Sequence, residues 1–410
     1  MPNADNYNSK HCQMLIMSAQ NSPISVIAKA QACGNPSVKS FLNYWIASSL
    51  FQMKNMAPRN DEFIAMTTPK KILIIKTSSL GDVIHALPVI NDIRTQYSNA
   101  RNDWQIDWIV EEAFVDIPRM HTGINNVFTV AMRRWKKSPF SRKTWSEISV
   151  FKKAIKQTQY DVVIDCQGLL KSALITSQAR TTIHGLKHGY DKNSIREPIA
   201  SQFYERKHAI SYNQHAVTRN RMLCAMSLGY AVPTNVPDYG IAVKSNGSAD
   251  LMDIGLQSIG STLGLKQNYI IALHGTSRDS KLWPVENWVN LGRELAKQNC
   301  NLVLPWASDA ELTRANQIAS QLENATVLPK LSIAQIANVI ANSKAAIGVD
   351  TGLSHLACAL SIPIIAIYID TDPALTGVMA GAFSPAINLG GIAETPSVAL
   401  VMLELNVLLK

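Results

Sequence analysis

The sequence predicts an α/β protein with two doubly wound parallel-sheet domains that face each other across a cleft. From residue 70 onward, short and wholly apolar runs alternate with helical patterns, and this series occurs twice. Strands that are apolar throughout and separated by helices are typical of parallel sheets covered on both faces. A stretch rich in Ser, Asn and Gly at 244–249 separates the two series and is typical of a linker.

Four segments follow from these boundaries. We expect an N-terminal extension at 1–68, a first domain at 69–245, a second domain at 250–396 and a last helix at 397–410. The extension is rich in Asn, Ser and Gln and lacks sustained periodicity. Met66 stands just before the first buried strand, so we expect the functional chain to begin near it and the extension to be disordered or to reflect a non-native start.

Each expected strand is followed by a loop and a helix. The first domain has expected strands at 72–76, 105–110, 127–130 and 162–165, and expected helices at 83–97, 152–157 and 214–228. The second domain has expected strands at 269–273, 302–304, 345–349 and 364–368, and expected helices at 285–298, 309–322, 333–341 and 354–360. Ligands of such sheets bind outside the carboxyl ends of the strands, so the loops there are the first place to look for a site.

Composition excludes several classes of protein. With 47% hydrophobic and 17% charged residues, the 410-residue chain is too apolar for general disorder. The six cysteines are scattered without CxxC or metal-like spacing, which favours buried thiols in a reducing compartment. The sequence contains no run of about 18 apolar residues, so it predicts no transmembrane helix.

The net charge of +9 is concentrated in the first domain. Residues 69–249 carry 25 Lys and Arg against 14 Asp and Glu, whereas 250–410 carry nine against 13. A basic run at 133–143 contains six cations, no acid and two aromatic residues, and we expect Arg196, His215, Arg219 and Arg221 to extend its surface. Such a surface suits an anionic partner: nucleic acid, a membrane face or a phosphorylated or carboxylated substrate. No recognised nucleic-acid motif accompanies it, so we expect no nucleic-acid partner.

The loop after the first strand, KTSSLGD at 76–82, opens the first helix. It has neither the GxGxxG pattern of dinucleotide binding nor the GxxxxGK[ST] pattern of a P-loop, which argues against a simple dehydrogenase or NTPase. Asp82 has two interpretations: a carboxylate that caps the helix, or a general base at the mouth of the cleft. His85, one turn on, orients Asp82, lines the cleft or lies in the core.

Two loops of the second domain suit a diphosphate. Thr276 and Ser277 supply hydroxyls and Lys281 an ammonium group before a helix that starts after proline. The segment VDTGLSH at 349–355 places a carboxylate, a hydroxyl and a glycine at another helix N-terminus, where backbone amides favour anions. A capped helix with a core histidine is the alternative interpretation of that segment.

Nine segments, in order from about residue 70 to the C-terminus, carry a family resemblance: KTSSLGDVIHALP (76–88), RRWKK (133–137), DCQGLLKSAL (165–174), LKHGYD with REPIAS (186–201), QHAV.R (214–219), H.TSRD.K.WP (274–284), LPW (304–306), LPK.S (328–332) and DTGLSHL (350–356). With them the chain resembles the lipopolysaccharide core heptosyltransferases, a family of ADP-heptose glycosyltransferases. Residues 1–68 lie outside the resemblance.

The resemblance implies the GT-B fold, in which two Rossmann-like domains enclose the cleft. It also implies an inverting, metal-independent transfer of heptose from ADP-L-glycero-β-D-manno-heptose to the Kdo of Kdo2-lipid A, in an α1,5 linkage and without a cofactor. The enzyme would then act peripherally at the cytoplasmic face of the inner membrane of a Gram-negative bacterium. A family member that adds heptose to a heptose, such as heptosyltransferase II, and a GT-B-like nucleotide-sugar epimerase are the alternatives.

Site residues also follow from the resemblance. It implies that Asp82 is the catalytic base and that Lys281 offsets charge on the leaving diphosphate. The implied donor-binding residues are Thr276, Ser277, Lys281, Glu311 (ribose), Leu331 (adenine), Asp350, Thr351, Gly352 and His355. The implied acceptor-binding residues are Ser79, Gly81, Arg133, Arg134, Lys136, Arg196 and Arg219. The sequence departs from the family pattern by Ser277 in place of a threonine, Leu331 in place of a methionine, and YIDTDP at 368–373, which lacks the usual glycine.

Overall fold

The computed structural model describes residues 71–97, 104–241 and 268–410, which all belong to one compact unit, Thr67–Lys410. The predictions made for 1–68 and for the linker at 244–249 lie outside these residues.

The first half of the unit is a six-stranded parallel sheet with the order β3-β2-β1-β4-β5-β6. Its strands are β1 (Lys71–Ile75), β2 (Gln105–Glu111), β3 (Asn126–Val130), β4 (Gln159–Asp165), β5 (Arg180–Tyr190) and β6 (Arg206–His208). The helices are α1 (Leu80–Ala86), α2 (Pro88–Tyr97), α3 (Asp116–Arg119), α4 (Met132–Lys137), α5 (Arg142–Ile155), α6 (Leu170–Gln178) and α7 (Ala216–Leu228), with 3-10 turns at Glu112–Phe114 and Pro198–Phe203.

The second half repeats the same topology, with the order β12-β11-β10-β7-β8-β9 and all neighbours parallel. Its strands are β7 (Tyr269–Leu273), β8 (Asn301–Leu304), β9 (Ala325–Val327), β10 (Ala345–Val349), β11 (Ile364–Tyr368) and β12 (Ala386–Gly390). The helices are α8 (Val285–Lys297), α9 (Asp309–Ala319), α10 (Ile333–Ala341), α11 (Gly352–Ala359), α12 (Pro373–Thr376) and α13 (Val398–Leu408), with a 3-10 turn at Asp279–Lys281.

Burial explains why these segments form strands. The central strands β1, β7, β10 and β11 are buried along almost their whole length, as strands covered on both faces must be. One continuous apolar cluster contains residues of both sheets, among them Ile74 and Ile271, whereas the outer face of each sheet has a cluster of its own. The two halves therefore share a common interior along their facing sides.

The predicted fold class is confirmed, with several differences in detail. The expected helix at 83–97 is two helices, because Leu87 separates α1 from Pro88, whose ring cannot continue a helix. The basic run at 133–143 contains helix α4 and the start of α5, which is longer than the expected 152–157. Strands β5, β6, β9 and β12 were not predicted.

No helix within 71–97, 104–241 and 268–410 combines the length and the apolar character that crossing a membrane requires.

Candidate active site

The candidate site lies at the carboxyl ends of four central strands. In the first sheet β1 and β4 are neighbours, and in the second sheet β7 and β10 are. At each of these pairs the strand order reverses, and such a switch point is where open α/β sheets bind ligands. The loops that follow these strands contain most of the donor-side residues and the expected base.

Asp82 occupies the first turn of α1, where its capping interpretation is confirmed and its role as a general base stays a prediction. Its Oδ2 accepts hydrogen bonds from the backbone N–H of Ser79 at 2.7 Å and from the Ser79 hydroxyl at 2.9 Å. These bonds cap the helix and fix the carboxylate. The side chain is partly exposed, and no described residue donates to Oδ1. Asp82 is therefore a positioned carboxylate with one oxygen available to a ligand.

The loop before Asp82 is held by residues that follow β4. The Gln167 side-chain oxygen accepts from the backbone N–H groups of Thr77 and Ser78, both at 3.0 Å. Lys171 donates to the Ser78 hydroxyl at 2.8 Å, which places a cation beside the loop. Sequence reasoning assigned neither residue a role, although both stand in the DCQGLLKSAL segment.

In the second domain, Lys281 and Asp350 form an ion pair at the ends of β7 and β10. Their side chains are only 12% and 13% exposed. The hydroxyl of Thr371 donates to the same carboxylate oxygen at 2.8 Å, and that of Thr276 donates to the Asp350 carbonyl at 2.8 Å. Asp350 therefore fixes the ammonium group of Lys281 at the cleft.

The loop at 368–373, in which the family glycine is missing, takes part in this network. Besides the bond from Thr371, the Ser280 hydroxyl donates to Asp370 Oδ2 at 2.6 Å. The altered loop thus packs against the turn that carries Lys281. Neither Thr371 nor Asp370 was predicted as a site residue.

The first turns of α1 and α11 bring the two domains into close contact. A β-carbon added at Gly352 would lie 2.7 Å from Cβ of Leu80, and one added at Gly81 would lie 3.0 Å from Cδ2 of His355. At Gly352 only glycine permits this approach, since real β-carbons essentially never come within 3.0 Å of a neighbour, whereas at Gly81 the His355 ring would have to shift by a few tenths of an ångström. The contact sets Asp82 and the N-terminus of α11 on the same cleft.

Three histidines from both domains meet behind this contact. His85 Nε2 lies 3.2 Å from His355 Nδ1, and the centroid of the His215 ring lies 5.8 Å from that of His85. Burial lowers the pKa of His355 to about 4, against the opposing effect of the Asp350 carboxylate. Burial also lowers the pKa of His85, well below its usual value, and it lowers the pKa of His215. All three rings are therefore neutral at pH 7.

Three further donor-side predictions concern Glu311, Leu331 and Ser277. Glu311 caps α9, because its Oε2 accepts from the backbone N–H of Ala307 at 2.7 Å and of Ser308 at 3.2 Å. A β-carbon added at Gly275 would lie 2.7 Å from Glu311 Oε1, so the carboxylate borders the loop of Thr276. Leu331 is half-buried and packs against the shared apolar cluster. Ser277 is exposed in the same loop as Thr276.

Among the predicted acceptor-side cations, the structure distinguishes paired from exposed groups. Arg134 forms ion pairs with Glu112 at 2.9 Å and Glu147 at 2.8 Å. Lys136, Arg133 and Arg196 are exposed. The acceptor role of each stays a prediction, and Arg134 is the one that is already engaged by two carboxylates.

Two further arginines of α7 lie inside the first domain. Arg219 lies over the rings of Tyr190 and Tyr212, at 4.9 and 4.2 Å, and donates to the carbonyl of Ser194. Arg221 is 5% exposed and is held by the carboxylate of Asp92 at 2.7 and 2.8 Å. The prediction that Arg221 extends the basic surface is therefore wrong, because this guanidinium is consumed by a buried ion pair.

Within the described part of the chain, no group of three or more His, Cys, Asp or Glu side chains could hold a metal ion. The cysteines there, Cys166, Cys224, Cys300 and Cys358, are free and buried, as predicted.

Comparison with known proteins identifies the family. The model of glycosyltransferase family 9 (heptosyltransferase) matches residues 148–398. Lipopolysaccharide heptosyltransferase 1 of Escherichia coli is 42% identical over 307 residues, which cover 75% of this chain and 90% of that protein. The enzyme of the same name from Pseudomonas aeruginosa is 42% identical over 308 residues, 75% of this chain and 81% of its own length.

Solved structures agree with this result. E. coli heptosyltransferase WaaC with ADP superposes with a TM-score of 0.70 at 39% identity, covering 82% of this chain and 99% of that one. The ADP-heptose heptosyltransferase II of E. coli reaches a TM-score of 0.63 at 19% identity, over 83% and 98% of the two chains, and shows the shared GT-B fold. The chain belongs to glycosyltransferase family 9, the heptosyltransferases.

Proposed function

We propose that this heptosyltransferase takes heptose from ADP-L-glycero-β-D-manno-heptose and transfers it to the Kdo of Kdo2-lipid A, in the synthesis of the lipopolysaccharide inner core. The observation that carries the proposal is the meeting of two groups on one cleft. Asp82 of the first domain presents a positioned carboxylate, and the second domain presents Lys281 beside the N-terminus of α11. A base and a diphosphate site are what such a transfer requires.

The second domain is the proposed donor-binding half. Structures of E. coli heptosyltransferase WaaC, 39% and 38% identical to this chain, contain ADP and ADP-2-deoxy-2-fluoro heptose. Here the Thr276 hydroxyl, the Lys281 ammonium and the amides at Thr351 and Gly352 lie at the ends of β7 and β10. Hydroxyls, an ammonium and free helix amides are the groups that bind phosphate oxygens.

Transfer would proceed by one in-line displacement with inversion. Asp82 accepts the proton of the Kdo 5-hydroxyl as the hydroxyl oxygen bonds to the anomeric carbon of heptose. The bond from that carbon to the diphosphate breaks, and ADP leaves with the electron pair. Lys281 and the N-terminus of α11 offset the charge that grows on the diphosphate. Since these groups meet the charge, the proposal includes no metal and no cofactor.

The first domain is the proposed acceptor-binding half, with its cleft loop at Ser79 and Gly81. Exposed cations at Arg133, Lys136 and Arg196 lie in the same domain and suit the anionic acceptor. The guanidinium of Arg219 is also there, held against two tyrosine rings.

We further propose that the enzyme binds peripherally to the cytoplasmic face of the inner membrane. Residues 132–156, which include α4 and α5, carry nine Lys and Arg and a single acid, Glu147, which pairs with Arg134. Next to these cations, Phe140 is 94% exposed and Trp145 is 61% exposed. Cations around exposed aromatic side chains are typical of a surface that binds anionic lipid.

A product assay tests the proposal. The protein is incubated with ADP-heptose and either Kdo2-lipid A or its mono-heptosylated product, and the lipids are analysed by mass spectrometry. We expect one heptose to be added to Kdo2-lipid A and none to the heptosylated lipid. Addition only to the heptosylated lipid would refute the acceptor and favour the alternative that adds to heptose. Conversion of the donor without any acceptor would favour the epimerase alternative.

A second assay tests the metal-free mechanism. Turnover measured in excess EDTA should equal turnover in buffer alone. Loss of activity in EDTA, with recovery when Mg²⁺ is added, would refute this part of the proposal.

A further inference from the structure

His85 is a buried side chain for which the proposed mechanism has no use. It lies on α1, one turn after Asp82, and is 4% exposed. Its ring meets His355 of the other domain edge to face, with centroids 4.4 Å apart and planes at 84°. The facing charged and titratable groups are Lys76 at the end of β1, His215 at the start of α7, and Asp82, Asp350 and Lys281 around His355.

The hydrogen bonds of His215 assign its proton. Its Nδ1 accepts from the backbone N–H of Val217 at 3.2 Å, so that nitrogen carries no hydrogen. The proton is therefore on Nε2, which donates to the carbonyl of Gly377 at 2.9 Å. His215 is a fixed bridge between the two domains and supplies no proton to the other rings.

The same reasoning assigns the protons of the other pair. Since both rings are neutral, only one nitrogen of the contact between His85 Nε2 and His355 Nδ1 carries a hydrogen. His85 Nδ1 is buried, and no described residue bonds to it. If His355 donated, His85 would carry its proton on Nδ1, as a buried N–H without an acceptor, which folded proteins seldom contain. His85 is therefore the donor, and the proton of His355 is on Nε2.

That Nε2 lies beside Gly81, at the start of α1. It would be 3.5 Å from a β-carbon added at Gly81, the residue before Asp82. His355 itself belongs to the first turns of α11, close to Thr351 and Gly352, where the diphosphate site is proposed. A hydrogen on Nε2 is consequently directed toward the space between the base and the donor site.

We propose that His85 is a positioning residue, which holds His355 in the tautomer whose Nε2–H donates to an oxygen of the bound nucleotide sugar. The inference rests on the proposed donor site but not on the identity of the acceptor. It gives the interdomain contact a chemical purpose: only when the two domains are in contact is the donor group of His355 fixed. In metal sites, removal of the partner that orients a histidine ligand costs about 10- to 100-fold in affinity or activity, and we expect an effect of the same order here.

The first test reads the tautomer directly and needs no acceptor. The full chain is labelled with ¹⁵N-histidine, and the ring signals of His355 are assigned with His355→Gln. We expect the wild type to show hydrogen on Nε2 and none on Nδ1, and His85→Phe to lose this preference. A His355 ring with hydrogen on Nδ1 in the wild type, or an unchanged tautomer in His85→Phe, would overturn the proposal.

The second test uses rescue and a double-mutant cycle. Gln at position 85 keeps an N–H near the place of Nε2, so we expect His85→Gln to retain kcat within about threefold, whereas His85→Phe loses about 10-fold or more. His85→Phe combined with His355→Gln should be no slower than His355→Gln alone, because the first residue acts through the second. The positioning role would be refuted if the losses of kcat in His85→Phe and His355→Gln multiply in the double variant, or if His85→Gln and His85→Phe lose kcat equally. Thermal unfolding of each variant shows whether it is folded.

These tests separate the inference from the proposed function. If the acceptor is a heptose rather than Kdo, the double-mutant cycle of His85 and His355 is measured with that acceptor and tests the same inference. If ADP-heptose is not bound at all, the proposed donor site fails, while the tautomer measured in the free protein still decides whether His85 orients His355.

Discussion

Replacement of Gly352 by alanine should separate the proposed catalytic groups without removing any of them. The new β-carbon would lie 2.7 Å from Cβ of Leu80, whereas carbon atoms in contact prefer about 3.5–4.0 Å. Because both atoms are attached directly to the backbone, no rotamer change relieves the overlap, and α1 and α11 must move apart by about 1 Å. A displacement of about 1 Å between reacting groups can cost about 100-fold in rate. We therefore expect kcat/KM of Gly352→Ala to fall by about 100-fold.

The assay for this prediction has a graded series and a matched control. Gly391→Ala introduces the same methyl group where the nearest atom is Glu394 Oε2 at 3.8 Å, and it should retain full activity. Gly81→Ala would contact the movable ring of His355 at 3.0 Å and should be intermediate. Overpacking of about 1–3 kcal/mol should also lower the unfolding temperature of Gly352→Ala. Activity of Gly352→Ala within threefold of the Gly391→Ala control would refute the reasoning.

Three further predictions concern the base, a buried histidine and the membrane. Asp82→Asn should lower kcat by about 100-fold or more while ADP affinity, measured by calorimetry, is unchanged. Burial lowers the pKa of His274 to about 4 in the folded protein, whereas it is about 6.5 in the unfolded chain. The contribution of the neutral His274 to stability is therefore fully present above pH 6.5 and is lost as the pH falls toward 4. At pH 5 the free energy of unfolding is therefore lower by about 2 kcal/mol than at pH 7 because of this histidine. Urea unfolding at pH 7 and pH 5 should show this loss in the wild type and not in His274→Gln. Phe140→Ser should weaken binding to anionic vesicles, whereas Phe383→Ser, at a phenylalanine 75% exposed in the second domain, should not.

The central strands could be predicted because their burial leaves an unbroken apolar run in the sequence. β1 and β7 are examples, with every residue after the first of β1 buried. The four strands that were missed lie toward the sheet edges and are at least partly exposed. A half-exposed strand such as β9, with three residues, has neither a long apolar run nor enough length to show alternation.

Site residues divide in a similar way. Asp82, Lys281 and Asp350 could be proposed from the sequence because each follows a strand that appears there as an unbroken apolar run. Gln167 and Lys171 were missed as site residues because their partners in the loop of Ser78 are 89 and 93 positions away, and no local pattern records such a bond. The buried position of Arg221 was missed for the same reason, since its partner Asp92 is 129 positions distant.

The contact between the domains is the feature that the sequence conceals most completely. Gly81 and Gly352 each stand in an ordinary loop-to-helix junction, and each has a sufficient local explanation as a flexible residue at a helix start. Their requirement for a missing side chain arises only from the other domain, through His355 and Leu80. The same holds for His85, whose partner lies 270 positions away. Residues that act through a contact with the other domain therefore show no distinctive pattern in their own segment of the sequence. The geometry of both domains is needed to assign their role.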